Sequence, residues 1–163
     1  MTHFANLLRT LASAEVEFIL VGGLAAAAHG SPRFTRDVDI VYDRSVQNLQ
    51  QLVIALGPHH PYLRGAPPGL PFQFDLETLK GGLNFTLVTD LGWIDLLGEI
   101  AGGGRYEDLI SHVVVEEVFG IRCRVLDLDT LIHTKRCAGR PKDFEGIAEL
   151  ELLRDRSRPR PTN

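Results

Sequence analysis

The sequence has few cysteines and lacks an apolar run long enough to cross a bilayer. Its two cysteines, Cys123 and Cys137, do not form the spacing of a metal-ligand pair. The first four residues, Met1 to Phe4, carry neither the basic region nor the cleavage signal of a secreted protein. These absences predict a cytoplasmic protein with free thiols and exclude a disulfide-stapled or membrane-spanning one.

Length and charge narrow the range of functions further. The 163 residues fit a single domain, and an apolar content of 44% with a charged content of 23% is ordinary for a globular protein. A net charge of −4 disfavours broad nucleic-acid binding. The basic residues nevertheless gather in the last third of the chain, at Lys135, Arg136, Arg140, Lys142, Arg154, Arg156, Arg158 and Arg160.

The chain is organised around a stretch that predicts a strand, a glycine turn, a short helix, a loop and a second strand. An apolar run over residues 18–21 stops at Gly22 and Gly23, and a later apolar run carries Asp37 and Asp39 at alternate positions. Alternate residues of a strand point to the same face, so the two carboxylates should lie side by side. Because like charges repel, a divalent metal ion is the usual companion of such a pair.

The glycine turn favours a phosphate ligand. Glycine lets the backbone approach a ligand closely, and a helix N-terminus offers free N–H groups to an anion. A phosphate cradle beside a pair of metal-holding carboxylates suggests chemistry on a nucleoside triphosphate.

Hydrophobic periodicity predicts the remaining elements. Helices are predicted over residues 3–13, 22–29, 45–56, 76–80, 106–111, 130–137 and 141–154. Strands are predicted over residues 16–21, 38–42, 72–75, 84–89, 93–97, 113–118 and 121–126, with a proline-rich loop over 57–71.

The strand predicted over residues 93–97 contains a third carboxylate, Asp95. A carboxylate inside an apolar run is costly to bury without a partner, and a metal ion held by Asp37 and Asp39 would provide one. The alternative is that Asp95 faces solvent on an edge strand. Asp90 lies in the preceding turn and is interpreted as structural.

These residues resemble a known family. The pattern of two glycines, about a dozen residues and then Asp-x-Asp is similar to the signature of the nucleotidyltransferase fold. The resemblance to its small bacterial branch, which includes AbiEii-type toxins and minimal nucleotidyltransferases, rests on Gly22, Gly23, Leu24, Ala25, Gly30, Arg33, Thr35, Asp37, Asp39 and Ile40. It implies an α/β (α+β) fold, with a mixed sheet and flanking helices, and Mg²⁺-dependent transfer of a nucleotide.

The resemblance also implies roles for individual residues. Asp95 matches the third acidic residue of the family, so Asp37, Asp39 and Asp95 would be catalytic and would hold two Mg²⁺ or Mn²⁺ ions, one activating the acceptor hydroxyl and one holding the triphosphate. Gly22 and Gly23 would bind phosphate through backbone N–H groups. Arg33 and Thr35 would either assist at the site or order the loop.

A second motif of the family resembles residues 131–143, where Lys135 and Lys142 would steady the triphosphate. Basic residues near a helix end also simply balance the helix dipole, so both interpretations stay open for these lysines. The chain departs from many relatives at Gly23, where a serine hydroxyl would otherwise touch phosphate.

The sequence thus predicts one domain over residues 1–155, followed by a disordered tail over 156–163. The predicted function is transfer of a nucleoside monophosphate from an NTP to a hydroxyl of a protein, a small molecule or an RNA. In one version of this prediction, the protein belongs to a toxin–antitoxin pair and has a partner protein. The alternative is a catalytically inactive module of the same fold that binds a nucleotide or a protein.

Overall fold

The computed structural model of the protein describes residues 1–159 and 161. The helices are α1 (Phe4–Ser13), α2 (Gly22–Ala28), α3 (Val46–Leu56), α4 (Leu76–Gly81), α5 (Tyr106–Leu109), α6 (Leu128–Ala138) and α7 (Asp143–Ser157). The strands are β1 (Phe18–Val21), β2 (Asp37–Tyr42), β3 (Tyr62–Leu63), β4 (Asn84–Thr89), β5 (Gly92–Leu97), β6 (Val113–Val118) and β7 (Ile121–Leu126).

The strands form one seven-stranded sheet in the order β3-β4-β5-β2-β1-β7-β6. Strand β2 runs parallel to β5 and antiparallel to β1, and β1 runs parallel to β7. The hairpins β4–β5 and β6–β7 are antiparallel, as is the pairing of β3 with β4. The sheet is therefore mixed and is flanked by helices, which confirms the predicted fold class.

Alternation along the central strands separates the core from the carboxylates. Val38 and Ile40 of β2 are completely buried, whereas Asp37 and Asp39 are only partly buried on the other face. Strand β5 alternates in the same way, with Asp95 on the partly open face. The core therefore fixes which side chains the sheet presents at its other face.

The helices form two contacting groups. Helices α2, α6 and α7 contact one another in series, and α2 also lies against β1 and β2; α1, α3 and α4 form the second series. Buried Leu7, Leu8 and Leu11 on one face of α1 show the predicted amphipathic pattern. In the part of the chain that the structure describes, we find no helix with the length and apolar character needed to cross a membrane.

Residues 57–75 differ from the prediction. A short strand, Tyr62–Leu63, pairs with β4 inside the predicted loop. The predicted strand over 72–75 is absent, because Phe72 packs edge-on against Tyr62 with ring centroids 6.2 Å apart and the Asp75 carboxylate accepts the Thr78 N–H to cap α4. This prediction was wrong, since the aromatic pattern of residues 72–75 reflects packing rather than strand pairing.

The last helix is also shifted from its predicted position. It begins at Asp143, after a turn in which the Asp143 N–H donates to the Arg140 carbonyl, so Pro141 lies outside the helix. It continues to Ser157, and Arg156 and Ser157 belong to α7 rather than to the predicted tail. The rest of the tail prediction falls partly on residues 160, 162 and 163, which lie outside the described residues.

Candidate metal centre

Three carboxylates converge on the partly open face of the sheet. Strands β2 and β5 pair so that Asp39 lies opposite Asp95, and Asp37 lies opposite Trp93. One carboxylate oxygen from each of Asp37, Asp39 and Asp95 lies within 4.8 Å of the others. We call this cluster the acidic triad. Three hard oxygen donors at this separation suit a Mg²⁺ or Mn²⁺ ion.

The acidic triad carries more negative charge than its surroundings balance. Burial, and then the charges of Asp37 and Asp95, raise the pKa of Asp39 to about 7. Burial also raises the pKa of Asp95, although the neighbouring Arg64 guanidinium opposes that change. A divalent cation at the acidic triad would offset the repulsion among the three carboxylates that helps to raise the pKa of Asp39.

The glycine turn lies directly against the acidic triad. Gly22 has φ of +64°, and a Cβ on it would collide with the Asp39 carboxylate. The nearby Gly23 backbone partly offsets the rise in the pKa of Asp39. Gly22 therefore permits a close approach of the backbone to Asp39, and both glycines lie beside the carboxylates, while their binding of phosphate stays a prediction.

Thr35 occupies the space next to Gly23. A Cβ on Gly23 would lie 2.7 Å from the Thr35 Oγ1. This hydroxyl donates to the carbonyl of Asp37 at 3.2 Å and lies 3.3 Å from its carboxylate. A hydroxyl from the loop thus lies beside Gly23, in the place that a side chain on residue 23 would need.

The basic residues of the late segment differ in whether they have an ion-pair partner. Lys135, Arg140 and Lys142 line a cleft of about 300 Å³ together with the acidic triad and the glycine turn. Lys135 Nζ lies 3.8 Å from the buried Asp143 carboxylate, and Arg140 Nε donates to the same carboxylate at 2.8 Å. Among the described residues, Lys142 has no ion-pair partner within 4.0 Å, and it is an exposed residue at the lining of the cleft.

Arg33 lines the same cleft, but its guanidinium is held by α7. Its Nε donates to Glu149 at 2.8 Å, and its Nη2 donates to Glu145 at 3.2 Å. These contacts tie the loop before β2 to the last helix. Of the two roles left open for Arg33, the contacts support ordering of the loop.

Arg64 is a residue of the site that the sequence analysis missed. Its Nη2 lies 2.6 Å from Asp95, and its Nη1 lies 3.4 Å from Asp37. The guanidinium also lies over the Trp93 ring, 4.6 Å from the ring centroid. Its side chain is 20% exposed, so it is an internal counter-ion of the acidic triad.

No local signal in the sequence identifies Arg64. It lies in the proline-rich stretch, one residue beyond β3, and its backbone N–H donates to the Thr86 carbonyl of β4. That contact continues the β3–β4 register and brings Arg64 onto the face that holds Asp95. Only the pairing of strands distant in sequence reveals this position.

The seven-stranded mixed sheet and its flanking helices match a solved structure of the nucleotidyltransferase fold, and the acidic triad stands on two central strands of the sheet. A solved structure that the chain resembles is TM1012 from Thermotoga maritima, provisionally assigned as a nucleotidyltransferase. The two share 17% sequence identity and a TM-score of 0.51 over 93% of this chain and 88% of that one. No family model and no curated protein matches the sequence. The likeness carries the fold, and the AbiEii-type branch stays a prediction.

Proposed function

We propose that the protein is a Mg²⁺- or Mn²⁺-dependent nucleotidyltransferase that moves a nucleoside monophosphate from an NTP to a hydroxyl acceptor. The single observation that carries this proposal is the convergence of Asp37, Asp39 and Asp95 across the β2–β5 register. The fold shared with TM1012 agrees with it. A purely structural cluster would not need three carboxylates within 4.8 Å on a partly open face.

The acidic triad would hold the metal. When bound there, a divalent ion supplies Lewis-acid chemistry that activates the acceptor hydroxyl and offsets the charge of the leaving pyrophosphate. Asp37, Asp39 and Asp95 orient the reacting groups, because the strands that carry them are fixed by the buried residues on the opposite face. Burial and the charges of Asp37 and Asp95 raise the pKa of Asp39, and a cation bound at the acidic triad would offset that effect.

The cleft beside the acidic triad would hold the triphosphate. Lys135 and Lys142 line it and would supply positive charge to the phosphates, and the Asp143 carboxylate lies 3.8 Å from Lys135 Nζ. Gly22 and Gly23 let the phosphates approach the backbone. Thr35 supplies a hydroxyl beside Gly23. In our proposal, this hydroxyl takes the place of the serine hydroxyl that many relatives have at the position of Gly23.

One observation favours the alternative of an inactive module of the same fold. Arg64 already bridges Asp37 and Asp95, and a permanent bridge would leave the acidic triad without room for a cation. The two functions therefore differ in whether the guanidinium yields to a metal ion. Calorimetric titration with Mn²⁺ separates them, since the inactive module would bind none at the acidic triad.

The test of the activity is incubation of the pure protein with each α-labelled NTP, Mg²⁺ or Mn²⁺ and a cell extract. We expect label to appear in an acceptor with one NTP, and Asp39→Asn to abolish the labelling while the variant stays folded. Asp129→Asn is the matched control, because it removes an exposed carboxylate outside the cleft. Labelling by Asp39→Asn at the wild-type rate would contradict the proposed site.

The acceptor and the biological role are the finer parts of the proposal. The resemblance of the sequence to AbiEii-type toxins is the ground for a role in a toxin–antitoxin pair with a partner protein. That role requires a neighbouring reading frame whose product relieves toxicity on co-expression. The labelled species in the extract identifies the acceptor as a protein, a small molecule or an RNA.

A further inference from the structure

A second, larger cavity adjoins the cleft that contains the acidic triad. It has a volume of about 710 Å³, within the range of small-molecule sites. Phe4, Phe34, Val88 and Trp93 contribute apolar surface to its lining. Phe34 is 84% exposed and Trp93 is 36% exposed, although large aromatic side chains gain from burial. We call this space the aromatic cavity.

The aromatic cavity and the cleft share a wall. Phe34 and Thr35 line both spaces. Trp93 lies directly opposite Asp37 in the β2–β5 register and two positions before Asp95 on the same face of β5. A molecule that fills the aromatic cavity would therefore have one end beside the acidic triad.

The chemistry of the proposed reaction indicates on which side of the acidic triad the acceptor should bind. In an in-line displacement, the attacking oxygen and the leaving group lie on opposite sides of the phosphorus atom. The cationic side chains of the cleft, from Lys135 to Lys142, come from α6 and the segment that leads into α7. Helix α6 contacts α2, and α2 lies against β1, β2 and β7. The leaving pyrophosphate belongs on that cationic side.

The aromatic cavity lies on the other side. Its wall includes Val88 of β4 and Trp93 of β5, and the sheet order places β5 and β4 beyond β2 on the side away from β1. The attacking hydroxyl should therefore come from the aromatic cavity.

We propose that the aromatic cavity is the acceptor subsite and that it takes a small molecule in which a hydroxyl adjoins a flat ring. The ring packs against Phe34 and against the part of the Trp93 ring that the Arg64 guanidinium leaves exposed, and the hydroxyl points along the shared wall towards the acidic triad. Among the residues that line the cavity, the charged side chains are Arg36 and Asp90, one of each sign. The cavity therefore lacks the positive groove that a polynucleotide requires. This inference rests on the proposed function.

The step balances with the groups already named. A bond forms between the acceptor oxygen and the α-phosphorus, and the bond from that phosphorus to the bridging oxygen of the β-phosphate breaks. Pyrophosphate leaves with that bonding pair, and the hydroxyl proton passes to solvent. The products are a nucleotidylated acceptor and pyrophosphate.

Trp93 provides a direct test, because it is the single tryptophan of the sequence. Its fluorescence, excited at the red edge, is followed while adenosine, uridine, N-acetyltyrosinamide or myo-inositol is added to the full-length protein. We expect saturable quenching by at least one of the ring compounds and none by myo-inositol. Saturable quenching by myo-inositol, or by no ring compound, would overturn the subsite.

The matched variants locate the binding. Phe34→Ala should weaken the binding of the ring compound by about fivefold to 150-fold, because loss of one aromatic stacking partner lowers affinity by that factor. Phe144→Ala removes a phenylalanine that is also exposed but lies outside the aromatic cavity, and it should leave the affinity unchanged. Equal weakening by both variants would place the binding elsewhere.

A final titration distinguishes a site for the acceptor from a site for the base of the NTP. It also distinguishes failure of the acceptor subsite from failure of the proposed function. The titration is repeated with a non-hydrolysable NTP analogue and Mn²⁺ present at saturation. Unchanged or tighter binding of the ring compound supports an acceptor subsite, whereas competition overturns it and assigns the cavity to the nucleobase. Failure of the analogue to bind at all counts against the proposed function, whereas the cavity itself is supported or overturned by the quenching without the analogue.

Discussion

Replacing Arg64 should raise the affinity of the acidic triad for a divalent cation. The guanidinium lies 2.6 Å from Asp95 and 3.4 Å from Asp37, so a metal ion must compete with it for both carboxylates. Arg64→Gln keeps much of the length of the side chain and removes the charge. The neutral amide should leave the cluster more negative and the metal site easier to occupy.

The size of the effect follows from the geometry. At an effective dielectric constant of about 20, opposite charges at the Arg64–Asp95 distance attract by roughly 6 kcal/mol before any offset. Desolvation and partial exposure offset most of that attraction, and coupling energies measured for close charge pairs begin at about 1.5 kcal/mol. A coupling of about 1.5 kcal/mol corresponds to about a tenfold lower Kd for Mn²⁺.

Calorimetric titration of the metal-free protein with Mn²⁺ measures this change. Arg124→Gln is the matched control, because Arg124 also contacts a carboxylate at 2.6 Å, that of Glu17, away from the cleft. We expect the control to bind Mn²⁺ as the wild type does. An Arg64→Gln protein that binds Mn²⁺ with unchanged or weaker affinity would refute the competition and show that Arg64 assists the cation.

Three further predictions address the rest of the site. Because the pKa of Asp39 is raised to about 7, the folded metal-free protein binds more protons than the unfolded chain between about pH 4 and pH 7, so its stability should fall as pH rises through that window. Asp39→Asn should flatten that dependence and stabilise the metal-free protein near pH 8 by at most about 4 kcal/mol in urea unfolding, and an unchanged pH profile would contradict the cause given for the pKa. In a thermal unfolding scan, Gly22→Ala should destabilise the protein by about 1–3 kcal/mol or more, since alanine there must adopt a positive φ and its Cβ collides with Asp39. Gly57→Ala, where a Cβ meets no atom within 4 Å, should cost less than about 1 kcal/mol in the same scan. Thr35→Val should weaken Mn²⁺-NTP binding by about threefold to tenfold in calorimetry while Thr35→Ser retains it, because only the hydroxyl is lost in the first variant, and equal affinities would remove Thr35 from the phosphate site.

The local parts of the fold and site were predictable because their signals are local. The glycine pair stops β1, the period of two in residues 37–42 gives the carboxylate face, and the leucines of α1 give its buried side. Asp95 was a candidate because a carboxylate in an apolar strand needs a partner, and the pairing of β5 with β2 places it opposite Asp39. Sequence periodicity was sufficient wherever one chain segment determines its own structure.

The parts that were missed depend on contacts between distant segments. Arg64 reaches Asp95 through the β3–β4–β5 register, and nothing within residues 57–71 announces that pairing. Of the two roles that the sequence left open for Arg33, the one supported by its ion pairs depends on α7, more than a hundred positions away. The aromatic pattern of 72–75 was mistaken for a strand because packing against Tyr62 leaves the same pattern.

The balance of charge distinguishes the acidic triad from the structural ion pairs of the same molecule. Asp143 is buried and lies within ion-pair distance of two cations, Lys135 and the more exposed Arg140, so its negative charge is compensated. The acidic triad has three carboxylates and one bridging cation, Arg64. A fold under selection for stability alone would gain from neutralising such a cluster, and sites that retain unfavourable charge are characteristically functional. The uncompensated charge of the acidic triad is therefore the physical reason to place the chemistry there rather than at the better-paired residues of α6 and α7.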